Sequence, residues 1–154
     1  MRRSEREITD WQEIVDVLRR ADTIRLGLNG DPFPYVVPLS FGFEEAGGQV
    51  VVYFHGARDG FKHTLINNSG NVCVEADILH RYAETPSGGL TAKYESVIGF
   101  GIAEEITGDE AIRGLDLIND HCGYHGFVYD HAALERMRVY RIPLVSLTGK
   151  RNLP

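Results

Sequence analysis

Cysteine is scarce in this chain. The 154 residues hold two, Cys73 and Cys122, with no CxxC pair, which leaves neither a disulfide framework nor a structural zinc site. Net positive charge is also missing. The 22 acidic residues outnumber the 16 basic ones, for a net charge of −6. Duplex-binding proteins carry a basic face, so nucleic acid is not the expected partner. There is no apolar run long enough to span a bilayer, and MRRSEREITD is too charged for a secretory leader, so a cytoplasmic, membrane-free protein is expected. No GxSxG elbow occurs, and neither cysteine has a nucleophile's signature, so nucleophilic hydrolysis is not indicated.

What is present is ordinary globular composition, 43% hydrophobic and 25% charged, in a length suited to one core. Residues 1–154 read as one domain. Glycine is the exception, with 17 residues, which points to many turns or close backbone approaches.

The spacing predicts a helix that Asp10 starts in capping-box fashion with Glu13, with Trp11, Ile14, Val15 and Leu18 along its length and Arg19 and Arg20 in its last turn. Thr23 to Asn29 alternates as a half-buried strand and ends in the turn Asn29-Gly30-Asp31-Pro32. Tyr35 to Phe43 and Val50 to His55 follow as strands, and the three are expected to form an antiparallel meander. Ala57 to Asn67 reads as a short helix and Val72 to Ala76 as a strand. Thr85 to Gly89 is a loop within the domain. Tyr94 to Ile106 is a long strand whose Gly99 and Gly101 suggest a bulge or barrel corner. Helices over Asp109–Asn119 and Asp130–Arg136 precede a closing strand from Val139 to Thr148, interrupted by Pro143. About six mostly antiparallel strands with helices outside them predict a barrel rather than a doubly wound sheet.

The segment from Tyr53 to Lys62 carries the most chemistry. A strand ends at His55, small residues turn the chain, and a helix starts near Asp59. Its backbone N–H groups, with Arg58 and Lys62, suit an anion such as phosphate, although the same two charges also fit a solvated surface. Pro38 cannot donate to a sheet ladder. Its strand is therefore interrupted, freeing the backbone of Val37, Leu39 and Ser40 for a planar polar group, or it is a bare edge. Gly99-Phe100-Gly101 lacks the third glycine of a dinucleotide fingerprint. His121, Cys122 and His125 are not expected to hold a metal, because Gly123 ends the helix that would align them. His63, His80 and His131 have no partner pattern and are expected at the surface.

Taken in order, these segments resemble the flavin-binding split-barrel superfamily of pyridoxamine 5′-phosphate oxidase, and within it the nitroimidazole-resistance branch. The matching stretches are Arg3 to Asp10, Pro34 to Phe41, Tyr53 to Ala57 with Gly60 and Lys62, Tyr94 to Gly99, and Thr148 to Lys150. The resemblance implies a six-stranded antiparallel split β-barrel with peripheral helices, dimerising around two symmetric FMN sites. Haem and deazaflavin are the other cofactors this fold hosts. It implies that the backbone of Val37, Pro38, Leu39 and Ser40 lies along the flavin. It sets His55 near the ribityl chain or ring, Lys62 with Arg58 at the phosphate, and Phe54, Ser96, Val97 and Lys150 as further cofactor contacts. His55 would be the one side chain near the reacting region, able to donate a proton or a hydrogen bond. The chain departs from the oxidases themselves. Phe61 precedes Lys62 where they have a more basic run, Ser40 replaces a cofactor-binding lysine, and their substrate-phosphate arginine has no match. The implied activity is therefore a flavin-dependent reductase or oxidase, using a nicotinamide donor and a small oxidised acceptor such as a nitro compound. The alternative is a haem- or flavin-sequestering protein without turnover.

Overall fold

The computed structural model describes residues 3–154. A 3-10 turn over Ser4–Arg6 leads into β1 (Glu7–Ile8), and α1 (Trp11–Arg20) follows. Asp10 caps α1 as its spacing predicts, its carboxylate accepting from the backbone N–H groups of Gln12 and Glu13. Ile14, Val15, Val17 and Leu18 are buried, each stabilising the fold by roughly 1.5–3 kcal/mol relative to exposure. Then come β2 (Ile24–Leu28), β3 (Tyr35–Leu39), β4 (Gly42–Ala46), β5 (Gln49–Ala57), α2 (Phe61–Asn68), β6 (Asn71–Glu84) and β7 (Leu90–Ile102). The chain finishes with β8 (Glu104–Ile106), α3 (Gly108–His121), α4 (His131–Glu135) and β9 (Met137–Asn152).

All strand pairings are antiparallel, in the order β3-β2-β6-β7-β9-β5-β4, with β1 and β8 also paired to β9. The architecture is the expected split barrel with peripheral helices, open in its strand order, but the described residues form nine strands rather than six. Two of the additions come from dividing expected strands. Tyr35–Phe43 breaks at Ser40 and Phe41, and Tyr94–Ile106 breaks at Ala103. The first break also overturns the meander. β3 pairs with β2 and β4 with β5, so the two halves of one expected strand stand at opposite ends of the order. Buried Phe41 makes the crossing, packed at a tilt against the ring of His121 with centroids 4.3 Å apart.

The 16-residue β9 is the spine. It pairs with β5 and β8 near its start and with β7 and β1 near its end. One core, including Phe41, Phe54, Tyr140 and Ile142, lies on one side of the β5/β9 pair. A smaller one, with Tyr53, Val139, Leu115 and Ile118, lies under α3 on the other. Between β7 and β9 the register shifts at Phe100 and Gly101, the bulge that the two glycines suggest. A Cβ on Gly101 would stand 2.5 Å from the carbonyl oxygen of Pro143, so only glycine fits there. β6 and β7 run further than expected and meet in a hairpin whose turn is Thr85 to Gly89. No helix is long and apolar enough to cross a membrane among the described residues.

Candidate functional site

Strand β5 delivers the chain to the candidate site. Consecutive residues of a strand point to opposite faces. The Phe54 side chain enters the larger core, fully buried and stacked on Tyr140 at 5.0 Å, so its ring faces no ligand. His55 turns to the other face, across from Val139, and is half-buried. Burial first, and then the charge of Lys62, push its pKa below the ordinary histidine value, so its imidazole is neutral at pH 7.

Gly56 faces the same side as Phe54. The Nζ and Cε of Lys62 both lie 2.6 Å from where a Cβ on Gly56 would be. The tip of the lysine side chain therefore lies against the strand backbone at Gly56. Lys62 sits in the first turn of α2, whose start at Gly60 is capped by no side chain. Among the described residues no carboxylate forms an ion pair with Lys62. A cation thus lies over glycine at the start of a helix, where the His63 N–H already bonds the Gly60 carbonyl, with no described carboxylate as its partner.

Two neighbours were not legible in the sequence. Arg138 stands opposite Gly56 on β9, two residues before Tyr140 on the same face, and brings a second cation to this end of the barrel, paired with Glu105 at 3.8 Å. His63 is expected at the surface but is buried, at 3% exposure. It lies on the side of α2 that closes the barrel end with Leu65 and Ile66, and hydrogen-bonds Tyr140 and the Ala57 carbonyl.

The remaining candidates are scattered. Arg58 hydrogen-bonds from Nη1 to the Glu135 carbonyl oxygen at 2.6 Å and lines a cavity of about 310 Å³ against α3 and α4, which Lys62 does not line. Val37 and Leu39 lean on the larger core, while Val36 and Pro38 face outward. β3 ends the strand order, so Pro38 lies on an edge strand. Exposed Ser40 precedes Phe41 and Gly42, and Gly42 pairs with Tyr53, two residues before His55. Ser96 lies on the outer face of β7 beside buried Val97, paired with Asp77 and with Lys150. Lys150 is inside β9 rather than beyond the last strand. From Val139, opposite His55, to Lys150, opposite Ser96, β9 runs eleven residues, a contour of about 36 Å. One chain therefore presents His55, Ser40 and Lys62 at one end of β9 and Ser96, Val97 and Lys150 at the other.

The other histidines are occupied. His121 ends α3 and donates from Nε2 to the Ala21 carbonyl at 2.7 Å, and His125 pairs with Asp120. His80, half-exposed, donates to Glu95, and exposed His131 pairs with Glu135.

Comparison with known proteins agrees with this architecture. Residues 10–151 match the pyridoxamine 5′-phosphate oxidase family, and the chain belongs to it. Among solved structures it is similar to a candidate 5-nitroimidazole antibiotic resistance protein from Bacteroides thetaiotaomicron. The TM-score is 0.82 at 28% identity, covering 94% of this chain and 85% of that one. It is also similar to the flavocytochrome Anf3 from Azotobacter vinelandii, with TM-score 0.80, 18% identity and coverage of 100% and 72%. A third is the FAD and heme binding protein from Mycobacterium smegmatis, with TM-score 0.78, 20% identity and coverage of 97% and 75%. Comparison with curated proteins gives no match.

Proposed function

We propose that this chain is an FMN-binding flavoprotein that acts as a homodimer and reduces small oxidised compounds with electrons from NADH or NADPH. The observation that carries this reading is Lys62, an ammonium held over Gly56 with no described carboxylate as its partner. A phosphate supplies the missing anion, and the open first turn of α2 supplies N–H donors for its oxygens. Arg138 adds positive potential from across the strand. FMN, with a phosphate at one end and a planar polar ring at the other, fits this donor set better than riboflavin.

The second copy follows from the distribution of residues. Ser96 and Lys150 lie eleven residues along β9 from the His55 end, and two copies related by a two-fold axis can bring the two ends together twice. The outer sheet face that carries Ser96 also exposes Ile98, Phe100 and Ile102, a surface suited to a partner. A bound flavin would supply hydride and electron transfer between a nicotinamide donor and the acceptor. The protein holds the phosphate with Lys62, lines the ring with the backbone from Val37 to Ser40, and presents His55. A neutral imidazole there offers one N–H as a hydrogen-bond donor at the reacting end.

The visible spectrum of the purified protein is the test. A yellow protein that NADH or NADPH bleaches, and that recovers its colour in air, supports the reading. A Soret band would replace flavin with haem. Failure of the colourless protein to take up added FMN would end both.

A further inference from the structure

The ring of His63 is held from both sides. Its Nε2 is 2.6 Å from the Ala57 carbonyl oxygen, which can only accept, so Nε2 carries the proton. Its Nδ1, 2.8 Å from the Tyr140 hydroxyl, then has only a lone pair, so Tyr140 donates. The imidazole lies nearly parallel to the Tyr140 ring, at 5.5 Å and 14°, and Tyr140 stacks in turn on Phe54 at 5.0 Å and 8°. The groups facing it are Lys62 on α2, Arg138 and Tyr140 on β9, Glu105 on β8 and the Ala57 carbonyl on β5. Burial and the two nearby cations keep the ring neutral, outweighing Glu105 and the carbonyl.

This arrangement joins two short pieces of chain. His63 follows Lys62, and Ala57 follows Gly56. The bond from Nε2 therefore locks the first turn of α2 onto the strand end where the Lys62 ammonium rests. Phe61 meets Tyr35 edge-to-face at 5.2 Å, and Leu65 and Ile66 bury the next turn, but His63 is the α2 side chain that bonds the strand end itself. A lysine on a four-carbon stem loses much of its binding advantage if its backbone drifts by an ångström.

We propose that His63, oriented by Tyr140, is the positioning residue of the Lys62 anion site. Its single tautomer sets where the ammonium meets the ligand's phosphate. This rests on the reading of Lys62 as a phosphate ligand, and the experiment separates the two.

The apoprotein is titrated with FMN and with riboflavin, which lacks only the phosphate. Six proteins are compared: the native chain, Lys62→Ala, Tyr140→Phe, the double variant of these two, His63→Gln and His63→Ala. Tyr140→Phe keeps the aromatic stack and removes the hydroxyl, which donates to Nδ1 and also accepts from Arg138. Lys62→Ala is expected to weaken FMN tenfold or more and leave riboflavin unchanged. Tyr140→Phe is expected to weaken FMN about fivefold, again with riboflavin unchanged, and to add little once Lys62 is gone. His63→Gln, which retains an N–H for Ala57 and an oxygen for Tyr140, is expected to keep more of the FMN preference than His63→Ala. Equal loss of both ligands in Tyr140→Phe, or no loss of either, would overturn the positioning role while leaving Lys62 at the phosphate. An unchanged FMN-to-riboflavin ratio in Lys62→Ala would overturn the phosphate reading, and the positioning role with it.

Discussion

The guanidinium of Arg20, in the last turn of α1, grips the carboxylate of Glu95 in β7 with two hydrogen bonds, of 2.7 and 2.9 Å. Glu95 is only 6% exposed, and Nε2 of His80 reaches the same carboxylate at 2.9 Å. α1 is thus fastened to the strand that carries Ser96. Hydrogen bonding from Arg20, with help from His80, holds the Glu95 pKa below the ordinary carboxylate value against the opposing effect of burial.

The sign of the pH effect follows. A carboxyl whose folded pKa is depressed contributes its stability above the unfolded pKa and loses it as pH falls through the folded value. Urea unfolding is expected to show stability dropping below the usual carboxylate range, and Glu95→Gln should flatten that drop. Arg20→Ala leaves a carboxylate nearly buried and short of its main partner. The cost is expected to be about 2–3 kcal/mol, less than for a fully enclosed pair because Arg20 itself is 39% exposed. An acid limb equally steep in Glu95→Gln would assign the loss to other carboxylates.

Gly101→Ala probes the bulge. The added methyl would meet the Pro143 carbonyl oxygen and stand 2.8 Å from Cγ2 of Ile142, both on the spine strand. Backbone cannot move aside as a side-chain tip can, so β7 and β9 must separate. A loss of roughly 1–3 kcal/mol is expected, read as a lowered Tm. An unchanged Tm would mean that the two strands do not pack this closely in solution.

His55 offers a reading of Lys62 that needs no cofactor. Burial and then Lys62 depress its pKa, so the NMR titration of its imidazole is expected to fall below the ordinary value of 6.5. Lys62→Ala removes the second cause and should move that midpoint up, though not fully, since burial remains. The linkage has the same direction as for Glu95: the neutral ring supports the fold above its unfolded pKa, and that support fades as pH falls. A midpoint identical in the two proteins would place the ammonium elsewhere.

Legibility in the sequence tracked the reach of each interaction. The cap at Asp10, the helical face of α1 and the bulge glycines were readable because their causes lie within a few residues. The break at Ser40 was not. It exists because Phe41 packs on His121, eighty residues away in sequence, and no local pattern announces that contact. His63 was misplaced for the same reason. Helical spacing shows which residues share a face but not which face meets the barrel, and Tyr140, its partner, is 77 residues distant. Arg138 had no motif at all. Only the strand register sets it opposite Gly56. Lys62 was recognisable as a cation after a glycine turn, whereas its lack of a carboxylate partner is a property of the folded chain.

The last prediction concerns the second copy. Phe100 is 54% exposed on the outer face of β7, between Ile98 and Ile102, and pairs with Cys73 and Ser146 on its flanking strands. A monomer would leave this row in water. If a partner covers it, Phe100→Asp sets a charge into an apolar interface and should divide the assembly, while the barrel, whose core lies on the opposite face, remains folded. Sedimentation equilibrium is expected to give twice 17.2 kDa for the native chain and a single chain's mass for the variant. Val128→Asp, on a loop at 85% exposure away from that face, serves as the control and should remain dimeric. FMN binding should fall in Phe100→Asp alone, because Ser96 and Lys150 would no longer arrive from the partner. A native chain that is monomeric at micromolar concentration and still binds FMN with a phosphate preference would leave Lys62 in place. It would remove the shared site, since no partner would then bring Ser96 and Lys150 to the flavin held at the Lys62 end.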